Sequence, residues 1–395
     1  MKRLAQLNAW FHLWFGLLSG TIVFVVSITG CIYVFIDDLK PIVYSERFFV
    51  EPQQAPFKPV SEMLANVREA LGPAYSVSRC DFQPTANRTW VFRAMDINPE
   101  GFGHSGYYRY YFRVYVNPYT AEVVHLENTN REFFQMVLSL HTHLMLGKKI
   151  GKPLVGWSVV VFVLLLISGL ILWWPKKWSR NSLRRIFVVR WRARFKRLNY
   201  DLHKTVGFYL LIPALILALT GLVYSFPWVA NSVYFVFSGG QPNVVREVRV
   251  HPAEQKPSPI PMDRAFADIL KSFPNADMIS MRFRDDAAAP IDFQVRKVKS
   301  RTYHFEWAFY DPASGDFLSS YGTDDLNSGE KVRAMNFDLH VGSFMGWGSK
   351  IFMFIASLVC ASLPVTGFLV WYYKKSGKRK GRCRRFVRHP IRRPV

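Results

Sequence analysis

Cysteine is scarce: four in 395 residues, at positions 31, 80, 360 and 383. Cys31, Cys80, Cys360 and Cys383 fall in or near apolar runs, in a polar loop and in a basic tail, and no CxxC spacing joins any two. That excludes a disulfide framework and a thiolate metal site, and the lack of CxxCH excludes a covalently attached c-type haem. A Gly-rich nucleotide loop, a G-x-G-x-x-G turn on a strand, an HExxH helix and a recognisable serine or cysteine triad are missing too. The chain therefore shows no motif for holding NAD(P)H or flavin and none for hydrolysis. Acidic residues are absent from three stretches, Lys2–Arg3, 176–197 and 374–393, whose Lys and Arg account for the whole net charge of +23.

Apolar residues are abundant: 50% of the chain is hydrophobic and 16% aromatic. The basic stretches flank long apolar runs, which is the positive-inside pattern of a membrane protein. A soluble nucleic-acid binder spreads its basic residues along a binding face, so nucleic acid is not an expected partner and membrane lipid is. Four runs are near or above the roughly 20 residues a helix needs to span the hydrocarbon. They cover residues 10–36, 154–174, 206–228 and 351–373. The first is too long for a signal-peptide core and lacks a small-residue cleavage site, so it reads as a retained anchor.

These spans divide the chain into a cytoplasmic N-terminus (1–9), an outside domain (37–135), an outer-interface helix and break (136–153) and a basic cytoplasmic loop (175–205). A second outside domain (229–335), a second interface segment (336–350) and a basic cytoplasmic tail (374–395) follow. Both termini are then cytoplasmic, and in a bacterial inner membrane both domains are periplasmic. "GKKIGKP" is expected to break the long helical pattern that starts near Leu138. Each outside domain reads as α+β: helix signals in "KPVSEMLANVREALG" and "PMDRAFADILKSF", then strands such as "TWVFRAM", "YYRYYFRVYV", "MISMRF", "IDFQVRKV" and "HFEWAFY".

An internal repeat organises the whole. His12, Gly16, Thr29-Gly30 and Tyr33 recur 191 residues later as His203, Gly207, Thr220-Gly221 and Tyr224. "LHTHLMLG" likewise matches "LHVGSFMG", equating His141 with His340, and "SGLILWWPKK" matches "TGFLVWYYKK". The expected fold is an integral membrane α-helical protein, a four-helix transmembrane bundle made by tandem duplication, with two extramembrane α+β domains. On the motifs "FHLWFG", "LHKTVGF", "LHTHLMLG" and the Thr-Gly before each aromatic exit, nearly the whole chain resembles the PepSY-associated transmembrane family. It is most similar there to the inner-membrane ferric-siderophore reductases that act on ferrioxamine, and the outside domains then resemble PepSY domains.

Parallel repeats bring equivalent residues to equivalent depths. His12 and His203 open outward-running helices and sit near the cytoplasmic face; His141 and His340 precede inward-running helices and sit near the outer face. A lone histidine at a span end is usually an interfacial side chain. Four in duplicated register are better explained as two facing pairs, the arrangement in which a helix bundle ligates cofactors. Two b-type haems, each held by two neutral imidazoles, satisfy all four. Gly16, Gly20, Gly207, Gly342 and Gly346 are the small residues expected to admit the flat macrocycles.

His143 is a second-choice ligand, because two residues along a helix turn by roughly 200° and only one of His141 and His143 faces inward. Arg131 and Arg333 are candidates for the haem propionates, with solvated interfacial arginine as an equal reading. In "GFGHSGYYRYYFR", His104, Tyr107, Tyr108, Tyr110 and Tyr111 read as aromatics packing a small core, or as contacts for an organic ligand.

The residues argue for electron transfer across the membrane, from a cytoplasmic donor they do not identify. The resemblance implies the acceptor, a ferric hydroxamate siderophore that releases iron as Fe(II). Two other classes compete. A siderophore or metal permease would place its site near the midplane rather than at the helix ends. A non-catalytic regulatory protein would leave the paired histidines without a task.

Overall fold

The structure, a computed structural model, describes residues 2–175, 177–243, 246, 248–250, 259–284, 286 and 288–386, without the side chains of 2, 259 and 377–386. Lys176, the 251–258 part of the second loop and residues 387–395 of the basic tail lie outside the described residues. The first half runs α1 (Lys2–Tyr33), α2 (Ile36–Val43), α3 (Ser45–Phe48), α4 (Val60–Leu71), β1 (Val77–Phe82), β2 (Trp90–Ile97) and α5 (Gly103–Tyr107). It continues with β3 (Tyr108–Val116), β4 (Val123–Asn128), α6 (Phe133–His143) and α7 (Lys148–Trp173). The second half opens with α8 (Arg180–Phe187), α9 (Phe195–Asp201), a π-helical turn (Leu202–Val206), α10 (Gly207–Tyr209), α11 (Leu211–Ser225), α12 (Pro227–Phe237) and α13 (Pro259–Ser272). It closes with β5 (Met278–Arg282), β6 (Ile291–Val298), β7 (Arg301–Tyr310), β8 (Phe317–Gly322), α14 (Ser328–Val341) and α15 (Trp347–Phe386).

Among the described residues three helices are long and apolar enough to cross a bilayer, over Arg3–Tyr33, Lys148–Trp173 and Trp347–Ser376. A fourth crossing arises only if Phe195–Tyr209 and Leu211–Ser225, bent by 66° where they meet, count as one span. Within the run 206–228 the helix is interrupted rather than continuous. Pro213 has no N–H for the carbonyl of Tyr209 and its ring presses on that carbonyl, which breaks the helix at Leu210. A second break follows at Phe226, in extended conformation, where Pro227 opens α12.

The turn expected in "GKKIGKP" lies just before it. Leu144, Met145 and Gly147 have φ of 54°, 56° and 81°, and α7 then runs unbroken through Pro153. Gly151 allows the reversal, because a Cβ there would fall 1.8 Å from the His143 carbonyl oxygen. α1 packs on α6, α7 and α15, and α11 packs on α7, α14 and α15.

The strands of both loops form one antiparallel sheet of eight, in the order β4-β3-β2-β1-β5-β6-β7-β8. The strands of the two polar loops are thus joined edge to edge by β1 and β5, in the register Arg79↔Arg282, Cys80↔Met281 and Asp81↔Ser280. Pairing removes an exposed edge from each four-stranded unit, a benefit the sequence of either loop does not advertise. Side chains alternate across the sheet. Cys80, Phe82, Trp90, Phe92, Val114, Ile279, Met281 and Phe293 build an apolar core with Met63 and Val67 of α4 and Ile269 of α13. The two helices are bonded to each other through Ser61 N–H and Asp263 Oδ1, 2.9 Å apart. The opposite face carries arginine, acid and aromatic residues and is turned toward α2 and the end of α1: Arg296 lies 3.9 Å from Asp37, and Arg47 binds Glu127.

Candidate functional site

The four histidines meet as two pairs. The rings of His12 and His203 have centroids 6.2 Å apart, and those of His141 and His340 6.0 Å apart. The pairs lie at opposite ends of α1, since His12 belongs to its first turns while His141 contacts Val26, Thr29 and Gly30 near its last. Seventeen residues of helix, from His12 to Thr29, span about 26 Å.

One local arrangement recurs at each ring. A glycine on a neighbouring helix faces Cε1: measured to a Cβ built on the glycine, the distance is 3.2 Å for His12 at Gly169 and 3.1 Å for His203 at Gly367. It is 3.2 Å for His141 at Gly30 and 3.5 Å for His340 at Gly221. The residue before each glycine is Ser168, Thr366, Thr29 or Thr220.

These hydroxyls and the backbone orient the imidazoles. His141 Nδ1–H donates to the Val26 carbonyl at 2.9 Å, and a carbonyl only accepts, so Nδ1 carries the proton. Thr220 Oγ1 donates its one proton to the Ile216 carbonyl at 2.6 Å and therefore accepts from His340 Nδ1–H at 2.8 Å. Thr366 Oγ1 does the same between the Ser362 carbonyl and His203 Nδ1–H, at 2.9 and 3.0 Å. In these three rings Nε2 is left with its lone pair and makes no hydrogen bond to the described residues. At His12 the buried Nδ1 lies near the Leu165 carbonyl without an ordinary hydrogen bond, and Ser168 donates to Asn8 Oδ1 at 2.8 Å.

Asn8 and Asn199, each four residues before its histidine, hold the same helix turn by donating to the carbonyls of Ser168 and Thr366 at 3.2 and 3.0 Å. Sequence reasoning missed both asparagines, although they too lie 191 residues apart. His203 sits in the π-helical turn, a local widening that often marks functional positions. Asp338 fixes the His340 helix to the sheet by accepting from Thr302 N–H, Thr302 Oγ1, Tyr303 N–H and Ser343 Oγ.

A cavity of about 600 Å³ opens at the His12–His203 pair, lined among others by Gly16, Gly20, Gly169 and Gly367. That lies within the range of cofactor pockets. All four rings are only half-buried, although they lie inside the helix assembly. Two imidazoles bound to opposite sides of one metal by nitrogen–metal bonds of about 2 Å set their ring centres roughly 6 Å apart. Among the described residues no three His, Cys, Asp or Glu converge. Each pair thus offers two nitrogen ligands, which suits a metal that brings its other ligands with it. By ring spacing and cavity the His12–His203 pair fits a bis-histidine haem, and the His141–His340 pair matches it in ring spacing.

The other sequence candidates fall elsewhere. His143 is buried against Tyr107, with ring centroids 5.8 Å apart, and does not join His340. Burial, with His104 and Lys148 nearby, lowers its pKa to about 4. His104 donates or accepts through Nε2 at the Asn130 carbonyl, 2.7 Å away; a carbonyl requires that it donate. Tyr108 accepts from Gln135 Nε2 at 2.8 Å, Tyr111 stacks on Tyr108, and Tyr110 packs on Tyr75, so this segment is structural packing around α6. Arg131 and Arg333 are exposed, and no described contact ties either to the histidines. Gly342 and Gly346 adopt φ of 79° in the turn after His340 rather than flanking its ring.

Together these features define a multi-pass membrane protein whose helices carry a soluble antiparallel sheet. The family model for the PepSY-associated TM region matches residues 9–374, and the chain belongs to that family. Among curated proteins none matches the chain.

Proposed function

We propose that the chain is a di-haem electron carrier of a bacterial inner membrane, a tandem duplication whose four spans form a bundle, with both termini cytoplasmic and the sheet periplasmic. It would pass electrons from a cytoplasmic donor, one at a time, to a ferric siderophore, which is then released as weaker Fe(II) complex. The observation that carries this reading is the doubled histidine pair: ring centres about 6 Å apart at two levels, with the proton held on Nδ1 and Nε2 free in three of the four rings. A bis-histidine haem supplies reversible one-electron chemistry.

The chain's own residues do the rest. Val26, Thr220 and Thr366 accept from Nδ1–H, which fixes the ring angle and raises the basicity of Nε2. Gly16 and Gly20 leave room beside the inner pair, and the apolar walls of the spans keep water from it. Asp338 and the Glu132 cap of α6, whose carboxylate accepts from Phe134 and Gln135 N–H, hold the outer pair under the sheet. Ferric iron favours hard oxygen ligands more than ferrous iron does, so one electron weakens its complex.

The test is the absorption spectrum of protein purified from haem-replete cells. The reading expects a Soret band that shifts on reduction and about two haems per chain. A colourless, folded protein overturns it.

A further inference from the structure

Four arginines stand directly opposite one another on four adjacent strands. Arg113 pairs with Arg93, Arg93 with Arg79, and Arg79 with Arg282, across β3, β2, β1 and β5. Paired residues share a face, so the four form one row, spanning three strand spacings or about 14 Å. Like charges directly opposite destabilise a sheet. The row therefore carries a cost that needs an offsetting partner.

The protein's own acids offset part of it. Asp81 is shared by Arg79, at 2.8 Å, and Arg93; Asp292 is shared by Arg282 and Arg284, the latter at 2.5 Å; Glu127 is shared by Arg47 and Arg113, at 2.9 and 3.5 Å. Arg47 also meets Glu46 at 3.2 Å, so among the described residues six guanidiniums meet four carboxylates, a surplus of two positive charges. Nearby, Lys40 pairs with Glu132 and Lys350 with Asp38, while Arg296 meets two carboxylates, Asp277 and, at 3.9 Å, Asp37.

The row also has an opening. Arg79, Arg93, Arg282 and Arg284 keep 30%, 34%, 36% and 39% of their side-chain surface exposed, while the Asp81 and Asp292 they share are 8% and 0% exposed. Trp307 lies flat under Arg282, 4.3 Å from its guanidinium carbon, and orients it. This is the face turned to the membrane: Tyr33 at the end of α1 lies within electrostatic reach of Arg93 and Arg113. Of the outer histidines, His141 belongs to α6, which packs on α1, and His340 to α14, which packs on α11, α15 and β7.

We infer that the arginine row binds a water-soluble, oxygen-rich polyanion, and that in the electron-transfer reading, on which this use rests, it holds the ferric complex as an anionic carboxylate-type chelate. Planar guanidiniums in a row match carboxylate oxygens two by two and give little to a cation. The inference departs from the hydroxamate that family resemblance implies, because trihydroxamate complexes are neutral or cationic.

Gallium(III) citrate tests the binding without redox chemistry. Titrated calorimetrically into detergent-purified full-length protein, it is expected to bind, more weakly as salt rises. Arg93→Gln and Arg284→Gln should each weaken binding about tenfold or more. In each variant the shared carboxylate keeps its other arginine, so the melting temperature should hold; Arg93→Lys should recover part of the affinity. The gallium complex of a cationic trihydroxamate should not bind at this face. Absence of gallium citrate binding, or binding indifferent to both substitutions, overturns the inference. So does Arg93-dependent retention of phosphatidylglycerol in nanodiscs without citrate binding, which would make the face a lipid site. A colourless protein that still binds gallium citrate would overturn the electron-transfer reading and leave the anion site standing.

Discussion

Thr220→Val isolates one hydrogen bond at the outer histidine pair. Valine keeps the shape of threonine but removes the oxygen that accepts from His340 Nδ1–H at 2.8 Å. The Ile216 carbonyl loses a proton donor as well, though it retains its place in the helix. A buried donor left without a partner costs about 1–3 kcal/mol. The Leu217 carbonyl, which also faces the ring, offers a partial substitute and sets the lower end of that range. Loss of such an outer-shell partner weakens metal binding roughly 10–100-fold, about 1.4–2.7 kcal/mol, in agreement with the hydrogen-bond figure. Haem titrated into the apo-protein and followed at the Soret band should therefore show one unchanged site and one weakened site. The weakened site should also rise in reduction potential, since a less basic imidazole stabilises Fe(III) less. Thr220→Ser should behave as the parent. Two unchanged sites in a well-folded Thr220→Val protein would refute the tautomer argument.

His12→Ala and His203→Ala should each remove the same haem, and His141→Ala and His340→Ala the other, while His143→Ala keeps both; pyridine haemochrome counts and spectra of the single and double variants decide this. Asp338→Ala strands the backbone N–H groups of Thr302 and Tyr303 and should lower stability by about 3 kcal/mol, read by thermal unfolding, with Asp338→Asn less damaging. Lys40, buried and close to Arg113, has its pKa lowered to about 8 despite the 3.0 Å contact with Glu132. The folded state then binds fewer protons than the unfolded state between about pH 8 and 10.5, so this group's contribution to stability should rise with pH across that window, by up to about 3 kcal/mol, and Lys40→Met should flatten the rise. A reporter active only in the cytoplasm should work when fused to the C-terminus and fail when inserted in either polar loop; the opposite pattern would invert the electron path.

The sequence by itself determined what depends on composition and spacing. Hydropathy located the three helices long and apolar enough to cross a bilayer, because the cost of burying charge in lipid leaves a signal in every residue of a run. The repeat singled out His12, His203, His141 and His340, and ranked His141 over His143, because helical periodicity and register survive in spacing alone. The strands of each loop were also legible, since their alternation is local. Tertiary structure decided the rest. Whether β1 and β5 pair is a contact between segments some two hundred residues apart, and nothing local in "SRCDF" or "MISMR" marks them as adjacent. The arginine row exists only through that pairing and the registers beside it, since its members come from four separate strands. The break at Leu210 needed the position of Pro213 within a helix whose ends packing sets. The tautomers of the histidines depended on which carbonyl or hydroxyl a neighbouring helix presents to each ring, and a linear sequence does not hold that distance.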